Sequence, residues 1–140
     1  MKTIKGNIMN VTKGIIIHQV NNKHVMGAGL AKQIRAKYPQ HYNDYMHDEL
    51  KLGYVIATKI NNQLGIFGMI AQNGYGRNKR YTDYSAFADC LTLINRFHKN
   101  HPNTRIYMPY GIGCGLAGGD WVIIEHLIQT ITPYVILVKL

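Results

Sequence analysis

The chain has 140 residues, a length typical of one domain and sufficient to bury a hydrophobic core. Its hydrophobic fraction of 46% and charged fraction of 16% exclude an intrinsically disordered chain. No stretch approaches the roughly 18 consecutive apolar residues of a membrane span, and the first ten residues lack the apolar centre of a signal peptide. We therefore expect a cytoplasmic protein with no membrane partner.

The chain is strongly basic, with 16 Lys and Arg residues against seven Asp and Glu residues and a net charge of +9. A positive field concentrates anions, so this charge favours an anionic partner, although a basic surface that only aids solubility is an equal alternative. The two cysteines, Cys90 and Cys114, lack the C-x-x-C spacing of a zinc or redox site. We expect free thiols, no metal and no cofactor.

Apolar residues follow strand and helix periods in turn along the chain, with no repeat or long linker, so we predict a single domain over residues 1–140. The β-branched run Gly14–Val20 is typical of a buried strand, Pro39 ends a helix, and Thr82 and Asp120 are predicted N-caps. The predicted elements are an edge strand at 3–5, a strand at 14–20, helices at 29–38 and 40–50, a hairpin of strands 54–60 and 64–71, a helix at 82–100, a strand at 105–108, a helix at 121–131 and a strand at 134–140.

Strands that alternate with helices predict an α/β fold, with a mixed, mostly parallel six-stranded sheet sandwiched between helices. In such sheets, ligands bind in the crevice beyond the carboxyl ends of the strands. Two glycine-rich segments, 21–30 and 109–120, each directly follow a predicted strand. The sequence therefore predicts a binding site where these two loops meet.

Both loops have the composition of phosphate-binding segments. Gly27–Gly29 precede a helix whose free N–H groups would face a bound anion, although an ordinary tight turn has the same composition. The second loop has five glycines within the nine residues 111–119, which favours an anion-binding nest over a flexible surface loop. It also matches G-x-G-x-x-G at positions 113–118, but no acidic residue follows on a next strand, so we reject a dinucleotide-binding Rossmann motif.

Three segments make the sequence similar to a known family: Lys5-Gly6-Asn7-Ile8, IIIHQVNNKHVMGAGLAKQIRAKYP and MPYGIGCGLAGGDW. Over essentially its whole length the chain resembles the macrodomain family. It is most similar to the short branch with ADP-ribose-1″-phosphate phosphatases, terminal ADP-ribose protein glycohydrolases and DNA ADP-ribosyl glycohydrolases, whose members include bacterial and phage chains. The resemblance implies a three-layer α/β/α fold, ADP-ribose or a derivative as the ligand, and the cytoplasm of a bacterial cell or phage-infected host as the location.

The resemblance also implies which residues contact the ligand. Asn7 and Ile8 stand where the family holds adenine with an acidic residue, and Asn21 and Asn22 stand where it presents asparagine to the distal ribose. For the two asparagines, capping of the loop by their side chains is an alternative. The remaining implied binding residues are Gln19, Met26, Gly27, Ala28, Gly29 and Leu30 around the first loop, and Pro109, Gly111, Ile112, Gly113, Cys114, Gly115 and Leu116 in the second.

Two residues are candidates for catalysis at the distal ribose. Asp120 follows the second loop and is also a good helix N-cap, and these roles are compatible. His18 stands where the phosphatase branch has a histidine, although a histidine in an apolar strand is more often a core residue. Cys114, between two glycines, is better explained as a packing residue than as a nucleophile. The lysine that the glycohydrolases use is absent, because Asn73 occupies the matching position.

Three hypotheses of function follow. The first is a hydrolase that acts at the distal ribose of an ADP-ribose derivative, such as the 1″-phosphate. The second is a module that only binds ADP-ribose, either free or attached to a protein or nucleic acid. The third is a nucleic-acid-binding domain, which the basic cluster Arg77-Asn78-Lys79-Arg80 suggests.

Overall fold

The computed structural model describes all 140 residues, which form six strands and four helices. None of the helices is both long and apolar enough to cross a bilayer. In chain order the elements are β1 (Lys2–Lys5), a turn of 3-10 helix (Ile8–Asn10), β2 (Gly14–Asn21), α1 (Gly29–Lys37), α2 (Pro39–His47), β3 (Val55–Lys59), β4 (Leu64–Gln72), α3 (Tyr84–Asn100), β5 (Ile106–Pro109), α4 (Trp121–Ile131) and β6 (Ile136–Lys139).

All six strands form one sheet in the order β1-β6-β5-β2-β4-β3. Every neighbouring pair is parallel except β3 and β4, which form the antiparallel hairpin expected around residues 61–63. The prediction of a mixed, mostly parallel six-stranded sheet is therefore confirmed, as is the edge position of β1. Strand β2 lies inside the sheet, between β5 and β4, so its carboxyl end opens towards the middle of one sheet edge.

Helices cover both faces of the sheet because alternate residues of β2 pack in opposite directions. Ile15 and Ile17 join the apolar cluster that holds residues of α3 and α4. Ile16 and Val20 join the clusters that hold Ile34 of α1 and residues of α2. This arrangement confirms the three-layer α/β/α architecture.

The structure corrects some predicted boundaries. The N-cap of α3 is Asp83, whose carboxylate accepts a hydrogen bond from the N–H of Ala86, and not Thr82. The hydroxyl of Thr82 instead donates to the carbonyl of Gly113 at 2.8 Å, because Thr82 still lies in the segment before the helix. Pro39 does more than end a helix, since it is also the first residue of α2, where a missing N–H is tolerated.

We expect Asp83→Ala to lower the free energy of unfolding by about 1 kcal/mol, because it removes the side-chain cap of α3. Thr92→Ala, at an exposed site within the same helix, is the control and should change stability by less than about 0.5 kcal/mol. Urea denaturation followed by circular dichroism measures both. Equal effects of the two substitutions would contradict the capping role.

Candidate functional site

A cleft of about 570 Å³ lies beyond the carboxyl ends of β2 and β5, a volume typical of small-molecule sites. One side consists of the loop after β2 and the start of α1, including Gly27 to Ala31. The other side consists of the loop after β5, from Pro109 to Ala117. Tyr75, Gly76 and Arg77, from the loop after β4, also line it. The two glycine-rich loops thus meet where the sequence predicts.

The loop after β5 presents a series of unpaired backbone donors. The N–H groups of Gly111, Gly113, Gly115, Leu116 and Ala117 have no hydrogen-bond partner within the protein, and all five residues line the cleft. The intervening N–H groups are used by the turns of the loop itself. Such a series of convergent N–H groups is the geometry of an anion-binding nest.

The loop after β2 offers a second set of donors. Helix α1 starts after Ala28, which provides no side-chain cap, and its first turn has no acidic residue. The N–H groups of Gly29, Leu30 and Ala31 are therefore free, as helix N-termini leave them unless something caps them. All three residues line the cleft, so the positive end of the helix dipole adds to the donors of the other loop.

Two glycines in the cleft are explained neither by packing nor by backbone conformation. A Cβ atom added to Gly27 or Gly115 would meet no protein atom within 4 Å, and neither residue has a positive φ. By contrast, Gly29 at φ +56° and Gly111 at φ +81° adopt the left-handed conformation that favours glycine. At Gly27 and Gly115 the free space belongs to the cleft, where a side chain would obstruct a ligand and not the fold.

Polar side chains hold the two loops in shape. The Oδ1 atom of Asn21 accepts hydrogen bonds from the N–H of Lys23 at 2.9 Å and the hydroxyl of Tyr45 at 2.8 Å. Its Nδ2 donates to the carbonyl of Val25 at 2.7 Å. Asn22 bonds to Asn73 and to the N–H of Gly74, which joins the loops after β2 and β4. These hydrogen bonds are those of loop capping, the alternative role of the two asparagines, and their contact with a distal ribose stays a prediction.

Thr82 performs the same task for the second loop. Its hydroxyl bonds to the carbonyl of Gly113, and it accepts a hydrogen bond at 2.9 Å from Nε2 of Gln19 on β2. The carbonyl of Ala117 accepts from the N–H groups of Tyr81 and Thr82. The loop is therefore fixed before any ligand arrives, which reduces the entropy lost on binding.

His18 is a nearly buried side chain, 1% exposed, among the residues that line the cleft. Its Nε2 lies 2.8 Å from Nε2 of His41 on α2, and its Nδ1 is buried without a partner in the protein. Burial lowers the pKa of His18 well below its ordinary value, and the neighbouring His41 lowers it further. The imidazole is therefore neutral near pH 7.

The charges around the cleft suit an anion. No Asp, Glu or Lys residue lines it, and Arg77 is its one basic residue. Elsewhere on the chain there is a single ion pair, between the exposed Lys51 and Glu49, so most of the 16 basic side chains are not neutralised by contact. The resulting positive field favours a negatively charged ligand.

No family model matches the sequence of this chain. An uncharacterised 17.5 kDa protein from the tk-vs intergenic region of Enterobacteria phage T4 is 33% identical over 141 aligned positions. The alignment covers 93% of this chain and 88% of the phage protein.

Solved structures identify the fold. A protein of unknown function from Bacteroides thetaiotaomicron is 27% identical, with a TM-score of 0.87 and coverage of 99% of this chain and 97% of that chain. A macrodomain protein from Streptomyces coelicolor is 21% identical, with a TM-score of 0.80 and coverage of 99% and 97%. The chain has the macrodomain fold. Thermosipho africanus DarTG, solved in complex with ADP-ribose, is 18% identical with a TM-score of 0.80, and the match covers 99% of this chain but 41% of that chain.

Most of the residues predicted from the sequence line the cleft of this macrodomain, and their contact with a ligand stays a prediction. The cleft also has lining residues that sequence reasoning missed. Arg77 follows β4, and its position after a strand next to β2 is the signal that would have indicated it. Tyr75 lies in the same loop, and the sequence leaves open whether this residue covers a ligand or faces solvent. The predicted residues in the lining are His18, Gln19, Asn21, Gly27, Ala28, Gly29, Leu30, Pro109, Gly111, Ile112, Gly113, Gly115 and Leu116; those that were missed are Val20, Val25, Ala31, Gln72, Gly76, Arg77, Tyr110 and Ala117.

The predicted binding residues that do not line the cleft are Asn7, Ile8, Asn22, Met26 and Cys114. The Oδ1 atom of Asn7 caps the 3-10 turn by accepting from the N–H of Met9. Ile8 and Met26 are buried in apolar clusters, at 6% and 2% exposure. Burial raises the pKa of the Cys114 thiol to about 11, which argues against a nucleophile.

Asp120 is likewise outside the lining of the cleft. Its carboxylate accepts from the N–H of Val122 at 2.9 Å, so it is the N-cap of α4, as the sequence predicts. The backbone N–H of Asp120 donates to the hydroxyl of Tyr84 at 3.0 Å. These contacts account for Asp120 without a catalytic role, which stays a prediction.

The buried histidine pair makes stability depend on pH. Burial lowers the pKa of His41 to about 4, against the smaller opposing effect of Asp44. Between pH 6.5 and pH 4 the unfolded chain therefore binds more protons than the folded one, and the free energy of unfolding falls as the pH falls. We expect His41 alone to contribute a loss of about 2 kcal/mol between pH 7.5 and pH 5.

Urea titrations at several pH values measure this loss. The variant His41→Gln, which has no titrating group at this position, should show a shallower decrease of the unfolding free energy. An identical pH slope in the variant and the original protein would contradict the assignment.

Proposed function

We propose that this macrodomain binds ADP-ribose in the cleft and that the backbone of its two loops holds the diphosphate. The observation that carries this proposal is the presence of free N–H groups on both sides of the cleft. One set is that of Gly29, Leu30 and Ala31, and the other is that of Gly111, Gly113, Gly115, Leu116 and Ala117. A diphosphate has acceptor oxygens for both sets at once, whereas a single carboxylate has only two oxygens. The complex of the similar DarTG with ADP-ribose supports the same ligand.

The rest of the cleft suits the sugars and the base. Val20 and Val25 provide apolar surface, and Tyr75 and Tyr110 are exposed at 55% and 37%. Exposed aromatic rings are sequence-tolerant platforms for stacking a nucleobase. We assign the adenine to this aromatic rim. Asn7, which follows β1 at the edge of the sheet and does not line the cleft, stays the polar contact that the resemblance predicts.

A finer proposal is that the domain also hydrolyses a bond at the distal ribose. His18 supports it, because an imidazole that is neutral near pH 7 can accept a proton from water or a hydroxyl group. The lining of the cleft has no carboxylate and no lysine, so His18 is the one side chain there suited to this role. A lysine-dependent glycohydrolase mechanism has no support, since Asn73 is bonded to Asn22 at the matching position.

Calorimetry with ADP-ribose tests the binding proposal. We expect saturable binding to the original protein and a loss of affinity of about 100-fold or more in Gly115→Glu, whose carboxylate would enter the anion site. The fold should survive, because a Cβ atom at Gly115 meets no protein atom within 4 Å. The matched control is Ala57→Glu, an exposed position on β3, which should bind as the original does. Absence of binding to the original protein would refute the proposal.

Phosphate release from ADP-ribose-1″-phosphate, together with product analysis on ADP-ribosylated peptide and DNA, tests hydrolysis. We expect His18→Asn to reduce turnover about 100-fold or more, the usual contribution of a general base. Asp120→Ala should lower stability by about 1 kcal/mol through the lost cap. Loss of turnover in Asp120→Ala at unchanged affinity would support the predicted catalytic role of Asp120, and unchanged turnover would leave it as a helix cap. No turnover on any substrate would leave a binding module.

A further inference from the structure

A chain of four hydrogen-bonded side chains leads from the cleft to the protein surface. Nε2 of His18 lies 2.8 Å from Nε2 of His41, and Nδ1 of His41 lies 2.7 Å from the hydroxyl of Thr58. The hydroxyl of Thr58 donates to Oδ2 of Asp44 at 2.7 Å. His18, His41 and Thr58 are buried, and Asp44 is exposed. Of the four, His18 alone lines the cleft.

The contact between the two histidines depends on a glycine in the intervening strand. Gly68 of β4 is paired with His18 of β2 on one side and with Ile56 of β3 on the other. A Cβ atom at Gly68 would lie 3.2 Å from Nε2 of His41 and 3.5 Å from Nε2 of His18. Because that atom is absent, His41 can reach across β4 from α2.

The donors and acceptors along the chain determine where the protons lie. The one hydroxyl proton of Thr58 is donated to Asp44, so the oxygen of Thr58 must accept from Nδ1–H of His41. A neutral His41 then has a lone pair on Nε2, which must accept from Nε2–H of His18. Burial keeps both imidazoles neutral. A neutral His18 protonated on Nε2 has a lone pair on Nδ1.

No group of the protein donates a hydrogen bond to that lone pair. Nδ1 of His18 is buried and has no hydrogen-bond partner, and buried polar atoms of this kind are uncommon. Since Nε2 is occupied by His41, Nδ1 is the one nitrogen of His18 that remains for a ligand. An acceptor at this place matches a donor group in the ligand, and ADP-ribose carries such donors as the hydroxyl groups of its riboses.

We propose that His41, Thr58 and Asp44 are positioning residues that hold His18 in its Nε2–H tautomer, so that Nδ1 accepts a hydrogen bond from a ligand hydroxyl in the cleft. This inference rests on the proposed binding of ADP-ribose for the nature of the ligand. The fixed tautomer itself concerns the free protein. The three residues act through His18, since none of them lines the cleft.

The tautomers are measured on the free protein with ¹⁵N-labelled histidine and long-range ¹H–¹⁵N spectra. We expect His18 to be protonated on Nε2 alone and His41 on Nδ1 alone. In Thr58→Val the acceptor for Nδ1–H of His41 is lost, so both rings should populate the opposite tautomer as well. Thr58→Ser retains the hydroxyl and should restore the original spectrum. The matched control is Thr132→Val, which removes another buried hydroxyl, one that bonds only to the carbonyl of Ile128.

Calorimetry with ADP-ribose on the same variants tests the contact with the ligand. We expect Thr58→Val to bind about tenfold more weakly than the original protein, Thr58→Ser to recover most of that loss, and Thr132→Val to bind normally. Circular dichroism and thermal unfolding of each variant establish that it is folded before its affinity is compared. A purely structural role for the pair would lower the melting temperature of Thr58→Val without changing the affinity of the folded protein.

The outcomes separate this inference from the proposed function. His18 protonated on Nδ1 in the free protein, or a tautomer unchanged in Thr58→Val, would overturn the positioning chain whether or not ADP-ribose binds. Altered tautomers with unchanged ADP-ribose affinity would overturn the contact with the ligand and leave the proposed function intact. Failure of the original protein to bind ADP-ribose would overturn the proposed function and the ligand contact, while the spectra alone decide on the tautomer.

Discussion

The parallel pairing of β2 with β5 is the constraint on which the cleft depends. Ile15 and Ile16 pair with Ile106 and Tyr107, so both strands run in the same direction and end at the same edge of the sheet. The loops that follow them must therefore lie side by side before each chain segment turns back into a helix. An antiparallel arrangement of these strands would place one loop at the opposite edge and abolish the cleft.

Within this frame, the main chain and the side chains have different tasks. The groups that face the cleft in the second loop are largely N–H donors of the backbone. The polar side chains nearby, above all Asn21 and Thr82, use their hydrogen bonds to fix the loops from behind. This division explains why the side chains most conspicuous in the sequence, Asn21 and Asn22, support the binding surface more than they compose it.

The fold was largely predictable from the sequence because its signals are local. The β-branched run of β2 and the apolar spacing of the helices depend on nearest neighbours along the chain, as does the density of glycines after β5. The contact of His18 with His41 was not predictable, because it is made across β4 and requires the missing side chain of Gly68. No pattern in the sequence connects residues on β2, α2 and β3 in this way.

The two loops of the candidate site were predictable from the sequence, but the roles of the residues around them were not. Asp120 has the same signal in sequence as a helix cap and as a catalytic acid, and its contacts in the structure are those of the cap. Thr82 and Asp83 are adjacent residues that both occur at N-caps, and the prediction chose Thr82 although Asp is the more favoured of the two. Asn7 and Ile8 follow β1, two strands away from β5, which is why they lie beyond the residues that line the cleft.

The free main-chain N–H groups that line the cleft have a consequence for how its sequence can change. A peptide N–H is present whatever side chain its residue bears, so most substitutions around the cleft leave the donors in place. Substitutions would disturb the cleft chiefly at positions where a side chain would intrude, such as Gly27 and Gly115. The macrodomain protein from Streptomyces coelicolor, at 21% identity, shares the same architecture at a TM-score of 0.80.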